Sequence, residues 1–351
     1  MKAIIQNRYG SAGDLRLTEV DRPTPKDDEV LIRVHATSVH ADVWHVVTGL
    51  PHVLRLMGAG LRRPKNRTPG TDLAGVVESC GKAVTRFSPG DEVFGETIRG
   101  MQWVHGGAFA EYATAPEAAL AIKPPNASFE EAAAIPTAGV IALFNLRMGG
   151  LRAGIRVLVN GAGGGVGTIA IQIAKAAGAH VTAVDRADKL PMLRALGAAE
   201  VIDYAKEDFT KGPARYDLLL DIPGNHSLST CRRALTPDGK YVLVGHDNYG
   251  RGMHRVLGLI PRMFKLMFLA IFIRHLPRPN FAMPDQRALM EVLRGLLASG
   301  ELKPHIGRTF SLDDAASALR DLEEGSTQGK IVIAIEPADP TAARGSVLRG
   351  G

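Results

Sequence analysis

Asn160-Gly161-Ala162-Gly163-Gly164-Gly165-Val166-Gly167 lies between an apolar run, Ile155 to Val159, and a helical pattern, Ile169-Ala170-Ile171-Gln172-Ile173-Ala174-Lys175. Strand, glycine turn and helix in this order give a weak motif its meaning. Gly164 lets the backbone approach a pyrophosphate, and Gly167 lets the helix pack closely on the strand. Gly163, Gly165 and Val166 complete the turn, whose N–H groups and helix dipole suit phosphate charge. Ala162 replaces the first glycine of the usual pattern and is small enough for the turn. A second apolar strand, His180 to Val184, leads to Asp185, eighteen residues past Gly167. An acid is expected near this place to meet the adenosine ribose hydroxyls. A glycine-rich surface turn is the plainer reading of the same residues. Strand, helix and acid together favour a dinucleotide.

The chain has 351 residues, more than one dinucleotide domain needs, so two domains are expected. Its 45% hydrophobic and 22% charged residues are ordinary for a globular enzyme. A net charge of +6 permits weak contact with nucleic acid or anionic lipid. No interleaving of aromatic and basic residues supports nucleic acid as a partner, and scattered arginine reads as a solvated surface. Cys80 and Cys231 stand far apart without metal-like spacing, which argues against a disulfide framework and suits a reducing compartment. Met1-Lys2-Ala3-Ile4-Ile5 runs straight into strand-like sequence with no signal or transit pattern, so a cytoplasmic location is expected. Leu266 to Ile273 is an uninterrupted apolar run flanked by Arg262, Lys265 and Arg274. Spanning a bilayer takes about 20 apolar residues, so this run reads as a buried strand or helix near the cofactor. A membrane-surface or lipophilic-substrate role is its alternative.

The first 125 or so residues read as β-rich. Glu29–Ala36, Gly75–Glu78, Ser88–Gly95 and Phe109–Ala113 are the strand-like pieces, and Pro124-Pro125 closes the region. Strands then alternate with helices. Arg156–Asn160, His180–Asp185, Glu200–Asp203, Tyr216–Asp221 and Lys240–Gly245 are the strands, with helices to Ala177, from Lys189 and over Leu228–Leu235. That alternation predicts an α/β, doubly wound parallel sheet. After Pro277-Arg278-Pro279 come helices at Asp285–Ser299 and Leu312–Glu323 and a strand at Lys330–Ile335, a piece too small to fold alone. Residues 337–351, rich in Gly, Ala and Pro, read as a disordered tail.

Five motifs in order extend the picture: Pro69-Gly70-Thr71-Asp72-Leu73-Ala74-Gly75-Val76-Val77, Pro89–Gly95, Gly107-Ala108-Phe109-Ala110-Glu111-Tyr112, Gly161–Gly167 and Gly329-Lys330-Ile331-Val332-Ile333. Together they resemble the medium-chain dehydrogenase/reductase superfamily, and within it the zinc-independent, quinone oxidoreductase-like (zeta-crystallin-like) members. The resemblance covers nearly the whole chain. It implies a GroES-like β-barrel domain over residues 1–126 and 278–336, interrupted by a Rossmann domain over 127–277, with the active site between them. Zinc alcohol dehydrogenases of that superfamily carry a cysteine after the Val30–Ala36 strand and Gly-His-Glu where this chain has Gly70-Thr71-Asp72. They also hold a four-cysteine structural lobe, which is missing here. His40, His45 and Asp72 offer some of the donors a catalytic zinc takes, without the thiolate. The expectation is catalysis without a metal.

Without a Lewis acid, hydride addition to a quinone or to the β-carbon of an enone is easier than carbonyl reduction, because charge spreads over a conjugated system. The candidate polar groups fall in Ser38-Val39-His40-Ala41-Asp42-Val43-Trp44-His45. Zinc-free relatives usually place Asn and then Asp in this loop, so the resemblance puts His40 at the Asn position. His40 could donate a hydrogen bond or proton near neutral pH, or be satisfied by the backbone. Asp42 orients a histidine or caps the following helix, and Trp44 reads as a pocket wall. Thr137 matches a threonine lying against the nicotinamide, and is otherwise a helix-start residue. The resemblance also sets Lys189 and Tyr204 around the adenosine, Gly245 along the nicotinamide ribose, Gly224 in the adjacent loop and Lys330 at the cofactor. The expected cofactor is NAD(P)H. Asp185 leans the choice to NADH, against Arg186 and Lys189, which could hold a 2′-phosphate. A small apolar carbonyl, enone or quinone is the expected substrate, and the protein is expected as a monomer or homodimer. An alcohol dehydrogenase or aldehyde reductase is the competing enzyme, and a cofactor-binding structural or RNA-binding protein like zeta-crystallin is the non-enzymatic alternative.

Overall fold

The computed structural model describes residues 1–98, 106–245, 255–278 and 285–335. The expected tail at 337–351 lies outside these residues. Two sheets carry the molecule. Five parallel strands form the first, in the order Glu200–Asp203, His180–Asp185, Arg156–Asn160, Tyr216–Asp221, Leu235–Leu243. Chain order runs outward one way from Arg156–Asn160 and then resumes on its other side at Tyr216–Asp221. This is the switch point of a doubly wound sheet, where a crevice opens at the carboxyl ends of the strands. The last strand starts earlier than the sequence suggests. Thr236-Pro237-Asp238-Gly239 is taken into the strand as a bulge, so pairing jumps from Tyr216–Leu235 to Leu218–Lys240.

The second sheet has seven strands drawn from both chain ends. Glu29–Val39 is its longest member and pairs antiparallel with Asp72–Cys80, Tyr112–Pro116 and Lys330–Ala334. Glu92–Glu96 and Leu120–Ile122 extend it on one side, and Ile306–Ser311 on the other. The pairing of Ile331 with Val39 places Lys330 beside the loop that starts at His40. One continuous core joins the two sheets, running from Ala36, Ala74 and Phe94 through Ile135, Ala138 and Ala142 to Val157, Ile169 and Leu220. Alanine is frequent along it, which allows the elements to approach closely.

The run Leu266–Ile273 departs from expectation. It belongs to a helix, Ile260–Leu269, and to the turn after it, and Phe268, Ile271 and Phe272 are exposed. Only one face of the helix packs inward, because a helix turned on the edge of a cleft has a single neighbour.

Candidate active site

A cavity of about 860 Å³ occupies the crevice. Gly161, Gly164, Gly165, Val166 and Gly167 line one end of it. Gly161 turns the chain with φ +77°, a left-handed conformation that a side chain would strain. A β-carbon on Gly167 would lie 2.5 Å from the Ala162 carbonyl oxygen, so only glycine lets this helix sit on the strand. At Gly164 the nearest atom a β-carbon would meet is the Gly161 oxygen at 4.0 Å, which leaves open space at the turn. No side chain caps the helix Gly165–Ala176 that starts here. Its first N–H groups are therefore available to an anion, and this cradle fits a dinucleotide pyrophosphate. Ala162 and Gly163 sit behind the lining.

Asp185 lines the cavity, with both carboxylate oxygens already engaged. Oδ2 accepts from the Gly163 N–H at 2.6 Å and Oδ1 from the Arg186 N–H at 2.8 Å. The acid thus braces the glycine turn, which weakens the premise of the NADH lean. Lys189 also lines the cavity, and its ammonium donates to the carbonyls of Thr327 at 3.0 Å and Gly325 at 3.4 Å. Burial pushes its pKa down. Arg186 pairs with Asp188 at 3.1 Å, and its Nε is buried without a hydrogen-bond partner. Tyr204 does not line the cavity; it is 55% exposed and reaches Asp185 only through a backbone bond of 3.2 Å. Gly245 lines the cavity with φ +85°, whereas Gly224 lies behind it, donating to Asp221 at 3.1 Å.

At the other end the loop after Glu29–Val39 brings His40, Asp42 and His45 to the cavity. His40 is the N-cap of the helix Ala41–Thr48. Its Nδ1 lies 3.1 Å from the Asp42 carboxylate and 3.3 Å from the Asp42 N–H, so Asp42 fixes the ring. His45 donates to the Leu50 carbonyl, and burial lowers its pKa. Trp44 is not a cavity wall. It is buried on the opposite side of the helix, where its indole N–H donates to Glu323. Thr137 is likewise not at the cavity surface: its hydroxyl donates to Glu96 at 2.6 Å and its N–H to Asp72 at 2.8 Å.

Behind His40 runs a buried polar network that sequence reading missed. Asp72 accepts from Ser38 and from the Thr137 N–H, and its Oδ2 lies 3.4 Å from the Lys330 ammonium. Lys330 lines the cavity, donates also to the Val39 carbonyl at 3.5 Å, and has its pKa lowered by burial. Glu96, wholly buried, accepts from Thr137 and from Gln286 at 2.6 Å each. Desolvation, with the Asp72 charge adding to it, lifts Glu96 to about 7. The second missed residue is Tyr241, which lines the cavity and donates to Asp221 at 2.9 Å. No motif marks either residue, since Glu96 meets Gln286 across 190 positions of chain.

The donor set does not suit zinc. Asp72, which stands where zinc enzymes have their Gly-His-Glu acid, already faces a cation in Lys330. Among the described residues no three His, Cys, Asp or Glu side chains gather to hold an ion. The remaining walls are mainly apolar, with Leu54, Phe144, Met148, Leu259, Met263 and Leu266 prominent and Asn145, Arg278, Asp321 and Thr327 among them.

Residues 26–125 match the alcohol dehydrogenase GroES-like domain, and residues 196–333 match a zinc-binding dehydrogenase domain. The chain is 31% identical over 344 residues to the 2-methylene-furan-3-one reductase of Solanum lycopersicum, covering 95% of this chain and 79% of the relative. It is 29% identical to the NADPH-dependent alkenal/one oxidoreductase of Arabidopsis thaliana, with the same two coverages of 95% and 79%. The quinone oxidoreductase structure from Coxiella burnetii superposes with a TM-score of 0.80 at 28% identity, over 96% of this chain and 99% of that one. With the glycine cradle at a sheet switch point and a seven-stranded sheet built from both chain ends, these likenesses place the chain in the medium-chain dehydrogenase/reductase family, in its quinone and enone oxidoreductase branch.

Proposed function

We propose that the protein uses NAD(P)H, without zinc, to reduce a small apolar quinone or an activated carbon–carbon double bond. The observation carrying this reading is one continuous cavity with a phosphate cradle at one end, His40 held by Asp42 at the other, and apolar walls between. Bound there, the nicotinamide cofactor supplies the hydride. Gly164 to Gly167 and the uncapped helix start hold the pyrophosphate, and Lys330 lies at the cavity surface between the two ends. Apolar walls exclude water and favour a conjugated, weakly polar acceptor. The acceptor gains negative charge on oxygen as hydride arrives, and a positioned donor stabilises that charge. His40 is placed to act as this donor. Asp42 occupies Nδ1, which leaves Nε2 to exchange a proton with the acceptor. Thr137, Glu96 and Asp72 act from behind, holding the loop and Lys330 in place.

For the cofactor we infer NADPH. Two backbone N–H groups offset the Asp185 charge, and Arg186 and Lys189 flank it. The name of the Arabidopsis relative points the same way. Two free thiols, Cys80 and Cys231, suit a reducing compartment such as the cytoplasm. The test is steady-state oxidation of both cofactors against a panel of quinones, enones and aldehydes. His40→Gln is expected to lower kcat by about a hundredfold or more with the preferred acceptor. Aldehyde reduction that depends on added zinc would reject the proposal.

A further inference from the structure

The helix Ile260–Leu269 and the residues flanking it carry apolar side chains on two faces. Leu259, Met263, Leu266, Met267 and Ala270 line the cavity. Phe264, Phe268, Ile271 and Phe272 do not, and they are exposed by 65%, 63%, 70% and 71%. Val256 and Leu257, just before the helix, are exposed too. Opposite them, Pro51 and Leu54 line the cavity while Leu56 and Leu61 face solvent. The two lips are tied together, His52 N–H to the Arg255 carbonyl at 2.7 Å and Val53 N–H to the Val256 carbonyl at 2.9 Å. One apolar surface therefore covers the cavity from outside. Large exposed apolar clusters of this kind mark interaction surfaces.

Charge identifies the occupant. Residues 51–67 and 255–278 hold ten of the 42 Lys and Arg residues and none of the 36 Asp and Glu. The rest of the chain is left with 32 basic against 36 acidic groups, so the positive excess lies in these two segments. Arg62, Arg63, Lys65, Arg255, Lys265 and Arg274 are exposed around the apolar residues. Arg274 has Asp238 3.5 Å away, at the edge of the face. Arg262 turns inward and donates to the carbonyls of Gly224 and His226, which anchors the helix to the sheet. A second copy of the chain would set this basic surface against itself.

We propose that this face docks on an anionic membrane surface. Phe264, Phe268 and Phe272 enter the headgroup boundary, and the surrounding Arg and Lys meet lipid phosphates. Among the described residues no helix is long and apolar enough to cross a membrane, so the contact is peripheral. A lipophilic acceptor held in the bilayer would then reach the cavity beneath the helix. That last step rests on the reductase reading above, whereas docking itself does not.

Cosedimentation of the full chain with vesicles decides it. Phosphatidylcholine alone is compared with phosphatidylcholine mixed with phosphatidylserine. Recovery on the anionic vesicles is expected to be at least about tenfold higher and to fall with salt. Combined Phe264→Ser, Phe268→Ser and Phe272→Ser, and separately Lys65→Glu with Lys265→Glu, should each abolish it while NADPH oxidation with a water-soluble quinone is kept. Equal recovery on both vesicle types, or binding untouched by either set of changes, overturns the proposal. So does the absence of vesicle binding together with a dimer in sedimentation velocity that the Phe changes dissociate. Vesicle binding without turnover of any quinone or enone would leave docking standing and remove the reductase reading. Turnover without vesicle binding does the reverse.

Discussion

Glu96→Gln isolates the buried acid behind the cavity wall. Burial, helped by the nearby Asp72 charge, lifts Glu96 from its ordinary 4.5 to about 7. Between these values the folded chain keeps a proton that the unfolded chain has released. The stability associated with the protonated group is thus fully present below about 4.5 and is lost as pH rises to about 7, after which the curve is flat. A displacement of this size corresponds to roughly 3 kcal/mol. Gln keeps the shape and cannot ionise. Its oxygen still accepts from Thr137, and Gln286 has only to turn its amide to accept from the new NH₂ group. The hydrogen bonds from Thr137 and Gln286, which favour the ionised form, are already contained in that displacement. At pH 8.5 Glu96→Gln should therefore be about 3 kcal/mol more stable than the parent, and at pH 4.5 equal. Thermal unfolding read by intrinsic fluorescence across this range should separate the two by several degrees at the alkaline end. Parallel profiles would refute the reasoning, as would a variant that is less stable above pH 7.

Three further perturbations test neighbouring parts of the site. Lys330→Met leaves the Asp72 carboxylate buried without its cation and should cost about 3–5 kcal/mol in chemical denaturation, part of it regained when Asp72→Asn is added; no regain would mean the two groups act independently. Asp185→Ser removes the negative charge beside Arg186 and Lys189, and the kcat/KM ratio of NADPH to NADH should rise about tenfold, or 1.4 kcal/mol; an unchanged ratio would show that the carboxylate does not face the ribose. Trp44→Phe should cost about 1–2 kcal/mol of stability through the lost bond to Glu323 and leave kcat unchanged; a fall in kcat with unaltered stability would return Trp44 to the active site.

What could be read from the sequence divides along a physical line. The glycine turn was legible because its requirement is local: a left-handed Gly161 and a helix start pressed against Ala162 are demanded within eight residues of chain. The position of Asp185 was legible for the same reason. Its direction was not, because the bond from Gly163 to Oδ2 depends on how closely two neighbouring strand ends pack. Glu96, Thr137 and Asp72 form a network only when three separate elements meet, and no spacing announces that. Trp44 and the apolar run are different, since helical period alone could have placed them. With the helix fixed at Ala41, Asp42 and His45 stand three apart on one face and line the cavity, whereas Trp44 lies well round the axis, toward Glu323. The run Leu266–Ile273 has no polar residue to reveal a face. Counted from Leu259, however, 263, 266, 267 and 270 fall on one stripe and 264, 268, 271 and 272 on another, and only the first meets the cavity. A helix that is apolar on the side away from its own protein needs a second apolar medium there, and the basic residues set among those phenylalanines indicate what kind.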